Sequence, residues 1–182
     1  SNGARRGTAW KEFQEANSDK VLIKEQDAAK LIAIREAMES HPVAKDLLIA
    51  AKSQLVEITI TANCGEVPVR GRLDILLDDA IVDLKTTSDL SPKEMSYRVR
   101  DHGWHLQAAM YQELVRSVRE VRLPVFFVVV ETVEPYRCEI YCPEQSTLWD
   151  GSNAIQSAIE EIYRRTKSEN WHRSGWPESI YF

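Results

Sequence analysis

The sequence predicts an α+β, or mixed α/β, chain built around one central sheet. Three observations predict it. Apolar residues recur at helical spacing near both ends of the chain and at strand spacing between them. The order reads helices, three strands, helix, two strands, helix. Turn signals fall where the period changes, at Asn63-Cys64-Gly65-Glu66 and at Asp78-Asp79.

The elements follow in order. Gly7 to Ala16 carries Ala9, Trp10 and Phe13 at helical spacing. Lys24 to Ser40 places Ala28, Leu31, Ile32, Ile34 and Met38 near a 3.6 period, and His41-Pro42 stops it. Val43 to Lys52 reads as a further short helix. Gln54 to Thr61 alternates like a strand, Val67 to Leu77 makes a second and Ala80 to Thr86 a third. Ser91-Pro92-Lys93-Glu94 is a capping box with Pro at the first helical position. The helix it opens runs to about Arg119 with a break near Gly103. Leu123 to Thr132 has the continuous apolar content of a buried strand, and Tyr136 to Tyr141 is a shorter one at an edge. Ser146 to Lys167 is a long helix with Ile155, Ala158, Ile159 and Ile162 on one stripe.

Composition bounds the rest. The 182 residues suit one domain, with an N-terminal helical part over 1–52 and a core over 53–182. Apolar residues make up 43%, as in an ordinary globular chain. The longest apolar run, Val125 to Val130, is far below the roughly 18 residues of a membrane span, so no membrane partner is expected. Three cysteines without a CxxC argue against structural zinc and for a reducing cytoplasm. The chain opens Ser1-Asn2-Gly3 with no signal peptide and no Met, as a trimmed chain would. A net charge of −5 excludes a histone-like coat of positive charge. It does not exclude nucleic acid, because local patches and bound metals reverse the local sign.

Register arithmetic points to chemistry. With Asp78-Asp79 as a two-residue loop, Leu77 faces Ala80, Asp74 faces Asp83 and Arg72 faces Lys85. With Ala62 facing Val67, Glu57 stands opposite Arg72 and diagonal to Asp74. Glu57, Asp74, Asp83 and Lys85 then share one sheet face. Val56, Ile58, Ile60, Val69, Leu73, Ile75, Val82 and Leu84 make an apolar core face on the other side. Facing carboxylates destabilise a hairpin unless a cation offsets them. Lys85 is one candidate and a divalent ion the other. Oxygen donors suit Mg²⁺ or Mn²⁺, held by Asp74 and Asp83 with the backbone carbonyl of Leu84. A lysine beside such a site orients or deprotonates a water, or neutralises a phosphate.

Four stretches carry a resemblance: Glu57, Arg70-Gly71-Arg72-Leu73-Asp74, Ile81-Val82-Asp83-Leu84-Lys85-Thr86-Thr87 and Gln107-Ala108-Ala109-Met110-Tyr111. Together they resemble the PD-(D/E)XK nuclease superfamily, and within it the exonuclease VIII (RecE-like) branch of phages and prophages, related to lambda exonuclease and the RecB nuclease domain. Gly175-Trp176-Pro177 resembles the tail of that branch. The resemblance runs from about Gly7 to Phe182. It implies a central mixed sheet with an αβββαβ restriction-endonuclease-like core flanked by helices. It implies hydrolysis of DNA phosphodiesters with two metal ions, Asp74 and Asp83 as ligands, Lys85 as the catalytic lysine and Glu57 near the metals or the DNA end. Gln107 and Tyr111, four apart on one helical face, approach that site in the family. Many relatives carry Gly-Thr-Ala-x-His in the first helix. Here Gly7-Thr8-Ala9-Trp10-Lys11 puts Lys11 in the place of the His.

Arg5, Arg6 and Lys11 form a basic cluster suited to phosphates, and Arg70, Arg72, Arg98 and Arg100 extend the positive charge toward a DNA track. The expected function is a Mg²⁺- or Mn²⁺-dependent exonuclease of linear duplex DNA, acting 5′ to 3′ in phage-type recombination within a bacterial cytoplasm. Its expected partners are duplex DNA ends and a RecT-like annealing recombinase, and lambda-type relatives add the expectation of a homo-oligomeric ring. The alternatives are a structure-specific endonuclease of the same superfamily and a catalytically weak module that binds DNA ends.

Overall fold

In the computed structural model, residues 6–51 and 55–171 are described. Three helices come first: α1 (Thr8–Ala16), α2 (Glu25–Ser40) and α3 (Pro42–Ala51). A long hairpin follows, β1 (Leu55–Cys64) and β2 (Val67–Leu76), and then β3 (Ile81–Thr87). Helices α4 (Pro92–Asp101) and α5 (Trp104–Arg119) lead to β4 (Val125–Glu131) and β5 (Cys138–Tyr141), and α6 (Gln145–Ser168) follows. The strands form one sheet in the order β1-β2-β3-β4-β5. All neighbours are antiparallel except β3 and β4. A parallel pair needs a crossover, and α4 and α5 provide it. This is the mixed sheet with flanking helices that the sequence predicts.

Local chemistry sets the helix ends. Ser91 Oγ accepts the Glu94 N–H at 3.4 Å, with Pro92 in the first turn. The Glu94 side chain turns instead to Arg98, at 2.9 Å. Gly103 adopts a left-handed φ of 68° and separates α4 from α5. No helix among the described residues is long and apolar enough to cross a membrane.

The sheet is covered on both faces. On one side Leu73, Ile81, Phe127 and Val129 pack with Trp104, Ala108, Leu114 and Val115 of α5. On the other, Ile75, Val82, Val128 and Val130 pack with Ala44, Leu47 and Leu48 of α3 and with α2. Two-sided burial explains the unbroken apolar run of β4.

Two readings of the hairpin are corrected. The β1–β2 turn is Gly65-Glu66, with Cys64 paired to Val67 and Gly65 at φ 62°. A tight primed turn needs positive φ at its first loop position, and Gly65 supplies it. The register therefore slips by two from the predicted one. Thr59, and not Glu57, stands opposite Arg72. The predicted single apolar face is also divided. Ile58, Ile60, Val69 and Leu73 join the core under α5, whereas Ile75 and Val82 join the core under α3. Val56 and Leu84 are exposed. The change of side falls at Glu57, which has φ 54° and no ladder partner between the paired Val56 and Ile58. A left-handed residue breaks the alternation that period-two reasoning assumes.

A buried carboxylate latches the far end of the parallel pair. Glu131, 3% exposed, accepts from Leu90 N–H, Arg137 N–H and the Arg137 guanidinium. The Arg137 guanidinium and these amides hold its carboxyl down to about 2 from an ordinary 4.5. A depressed carboxyl stabilises the fold above the unfolded value, and the contribution is lost as pH falls through the folded one. Melting temperature should therefore drop between pH 4.5 and 2, and drop less in Glu131→Gln. Equal acid sensitivity in both proteins would remove this role.

Candidate active site

Strand β3 continues the face of Ile81 with Asp83 and Lys85, which lie beneath α5. Strands β2 and β3 pair at Ile75–Val82 and Leu76–Ile81, in the predicted register. Beyond that point a side chain replaces the ladder: Asp74 Oδ2 accepts the Leu84 N–H at 2.8 Å. This brings Asp74 to Asp83, as the register requires.

Asp83 is 1% exposed. Its Oδ1 accepts from Gln107 Nε2 at 3.2 Å. Its Oδ2 faces Lys85 Nζ as an ion pair, yet takes no well-directed hydrogen bond. Burial pushes the Asp83 carboxyl up, Lys85 pulls it down and Asp74 adds to the rise. Burial outweighs the lysine because a desolvated carboxylate loses its water shell.

Helix α5 organises the pair. Lys85 Nζ donates to Gln107 Oε1 at 2.7 Å. Gln107 Nε2 also donates to Tyr111 Oη at 2.7 Å, and Tyr111 Oη donates to the Arg72 carbonyl at 2.5 Å. Both donors of the Gln107 amide are thus committed, and its oxygen is left for the lysine. The i,i+4 spacing put both side chains on one face. Lys85 Nζ lies 5.7 Å from the Trp104 ring centre and 5.8 Å from that of Phe127, within cation–π range. The role of these two rings as a wall for Lys85 was not read from the sequence. The signal was the three-residue spacing of Trp104 from Gln107.

Gly71 makes the tyrosine contact feasible. A Cβ there would meet Leu114 Cδ1 at 2.6 Å and Tyr111 Cε1 at 3.2 Å. Gly71→Ala should destabilise the fold by about 1–3 kcal/mol through overpacking and should displace Tyr111. Denaturant melts and a crystal structure of the variant check this, and an unmoved ring with unchanged stability would contradict it.

The side chains of the remaining predicted residues lie outside this hydrogen-bond network, with Glu57 in an open groove beside Asp74. Glu57 is exposed and pairs with Arg72 at 2.5 Å. Arg70 is exposed on the outer side of β2. Arg98 is engaged by Glu94, and Arg100 is exposed in the last turn of α4. Arg6 and Lys11 are exposed at the start of the chain, and no side-chain bond joins them to the Asp83–Lys85 network. Arg5, Lys52, Gln54, His172 and Gly175-Trp176-Pro177 lie outside the described residues.

A groove of about 480 Å³ opens beside Asp74, lined by Leu48, Ala51, Val56, Glu57 and Leu84. A larger cavity, about 680 Å³, lies between the β1–β2 turn, α5 and α6, and contains neither aspartate.

The donor set fits a hard divalent cation. A buried carboxylate oxygen without a directed donor, beside a second carboxylate, is the environment such an ion satisfies. Among the described residues no group of three or more His, Cys, Asp or Glu comes together. Asp74, Asp83 and the Leu84 carbonyl would therefore hold an ion that keeps several waters, as Mg²⁺ does.

Comparisons agree with this fold. A family model described as a PDDEXK-like domain of unknown function (DUF3799) matches residues 8–178. The fold is similar to that of a crystal structure named "Putative exonuclease" from Eubacterium rectale, with a TM-score of 0.68 and 20% identity. The match covers 89% of this chain and 63% of that one. No curated protein matches. With its mixed sheet, its facing aspartates and its lysine two residues on, the chain belongs to the family of PDDEXK-like domains.

Proposed function

We propose that the chain is a metal-dependent deoxyribonuclease, acting as an exonuclease on linear duplex DNA from the 5′ end. The observation that carries the reading is the buried Asp83–Lys85 pair held beneath Gln107 and opposite Asp74. A divalent ion, two in the full form of the proposal and Mg²⁺ or Mn²⁺ by donor type, would supply a Lewis acid and a water of lowered pKa. Asp74 and Asp83 hold that charge. Lys85 has three N–H donors. Gln107 takes one of them, Asp83 Oδ2 faces the ammonium as an ion pair, and a donor is left for a water or a phosphate oxygen. Gln107 keeps the ammonium from turning away, because its own amide is oriented by Asp83 and Tyr111.

The family and the name of the structural neighbour support nuclease chemistry. Direction, duplex ends, a RecT-like annealing partner, a ring assembly, phage-type recombination and a cytoplasmic setting rest on the resemblance in the sequence, as does the assignment of the whole chain to one nuclease domain.

The test uses linear duplex DNA labelled at the 5′ or the 3′ end, with Mg²⁺, Mn²⁺ or EDTA. Early mononucleotide release from the 5′ label, lost with EDTA, is expected. Cutting of covalently closed circles would replace the exonuclease reading with an endonuclease. Binding without cleavage in Mn²⁺ would leave a DNA-end-binding module.

A further inference from the structure

The β1–β2 hairpin presents an outer face that the catalytic network does not use. Its inner side chains are committed: Ile58, Ile60, Val69 and Leu73 pack under α5, and Gly71 lies against Tyr111 and Leu114. The strand period then forces the alternate residues outward. Thr59 stands opposite Arg72 and Thr61 opposite Arg70, with Asn63 next along the strand. All five are exposed. Thr59, Thr61, Asn63 and Arg70 make no side-chain hydrogen bond or ion pair with any described residue.

This is a row of donors without a carboxylate among them. Acids occur only at its two ends, with Glu57 beside Asp74 and Glu66 in the turn. Arg70 and Arg72 are two residues apart on one strand, a separation of roughly 6.8 Å. That is comparable to the spacing of successive phosphates along one nucleic-acid strand. The chain as a whole is acidic, at −5, and its site is built of carboxylates. A polyanion therefore needs a local positive lead to reach Asp74.

We infer that the outer face of the β1–β2 hairpin binds the sugar–phosphate backbone of a nucleic-acid strand and leads it to Asp74. Arg70 pairs with a phosphate, and Thr59, Thr61 and Asn63 donate to backbone oxygens. Arg72 takes the phosphate next to the site in exchange for Glu57. Such contacts position a strand and carry no base specificity. The inference rests on the nuclease reading and adds to it the surface on which the substrate lies.

Binding of fluorescein-labelled linear DNA is measured by anisotropy in EDTA over a range of salt, beside cleavage in Mg²⁺. The variants are Arg70→Ala, Arg70→Lys, Thr59→Val with Thr61→Val, and Lys30→Ala as a cation control on α2. Arg70→Ala should weaken binding of all sequences alike and reduce the slope of log affinity against log salt by about 1. Arg70→Lys should restore the slope. The double valine variant should lose affinity with the slope unchanged. In cleavage, KM should rise with kcat retained. Wild-type binding and cleavage, with Arg70→Ala indistinguishable from Lys30→Ala, would overturn the inference and leave the nuclease reading standing. DNA neither bound nor cut by the wild type would remove both.

Discussion

Replacing Lys85 with Ala is expected to slow cleavage of linear duplex DNA by about 10²–10⁴-fold, the range for loss of a positioned proton-transfer group. Lys85 is ion-paired with Asp83, and its side chain is 18% exposed. The variant also leaves Asp83 without its partner. Removing one member of a buried ion pair destabilises by about 3–5 kcal/mol when the other stays charged. Asp83 has a way to avoid part of that, because burial already raises its carboxyl and it can take up a proton. Lower stability and lower activity must therefore be separated. Lys85→Arg keeps the charge but changes a point ammonium into a planar fork that cannot reproduce the contact with Gln107 Oε1. It should stay folded by circular dichroism and thermal melting, and should still lose most activity. A folded Lys85→Ala protein that cuts at the wild-type rate would end the catalytic assignment of this lysine.

Asp74→Asn is expected to abolish metal binding at the site with little cost to the fold. The amide keeps an oxygen that can accept the Leu84 N–H, so the link between β2 and β3 survives. One of two facing carboxylates is neutralised, which relieves like-charge repulsion across the strands. Asp83 should titrate lower, because Asp74 is among the causes of its rise. Melting temperature should thus hold or increase slightly. Cleavage should fall by more than about 10²-fold, since loss of a partner merely supporting a metal ligand already costs 10–100-fold. Asp74→Ala should differ. It strips the Leu84 amide of its acceptor and should cost about 1–3 kcal/mol in addition. Calorimetric titration with Mn²⁺, alongside melts of both variants, checks the pair. Mn²⁺ binding by Asp74→Asn with wild-type affinity would exclude Asp74 as a ligand.

The site was legible where short-range rules apply. Asp78-Asp79 sets a two-residue hairpin, and Leu77 N–H does bond to the Ala80 carbonyl at 2.9 Å. Counting back from that loop places Asp74 against Asp83 with no knowledge of the fold. Gln107 and Tyr111 are four apart, so one helical face had to carry both. The β1–β2 register was misread because Asn63 to Glu66 reads as a four-residue turn. Gly65 in a left-handed conformation makes it two. The ladder position of Glu57 followed that error, and with its left-handed backbone it still reaches Arg72 as an ion pair. No pattern of residue types announces a positive φ at a glutamate.

The sequence by itself determined the element order, the central sheet, the register of β2 on β3 and the placing of Asp74, Asp83 and Lys85 together, while Gln107 came from the family resemblance. The former rest on periodicity, turn length and helical spacing, which act over a few residues. Tertiary structure alone decided three things. It divided the apolar residues of the hairpin between two cores. It set Tyr111 Oη on a carbonyl 39 positions away. It walled Lys85 with Trp104 and Phe127 from different elements. Each depends on how a helix docks on a twisted sheet, and that docking minimises empty volume and unpaired polar groups over the whole molecule at once. Local sequence specifies which groups are available, and packing specifies which of them meet.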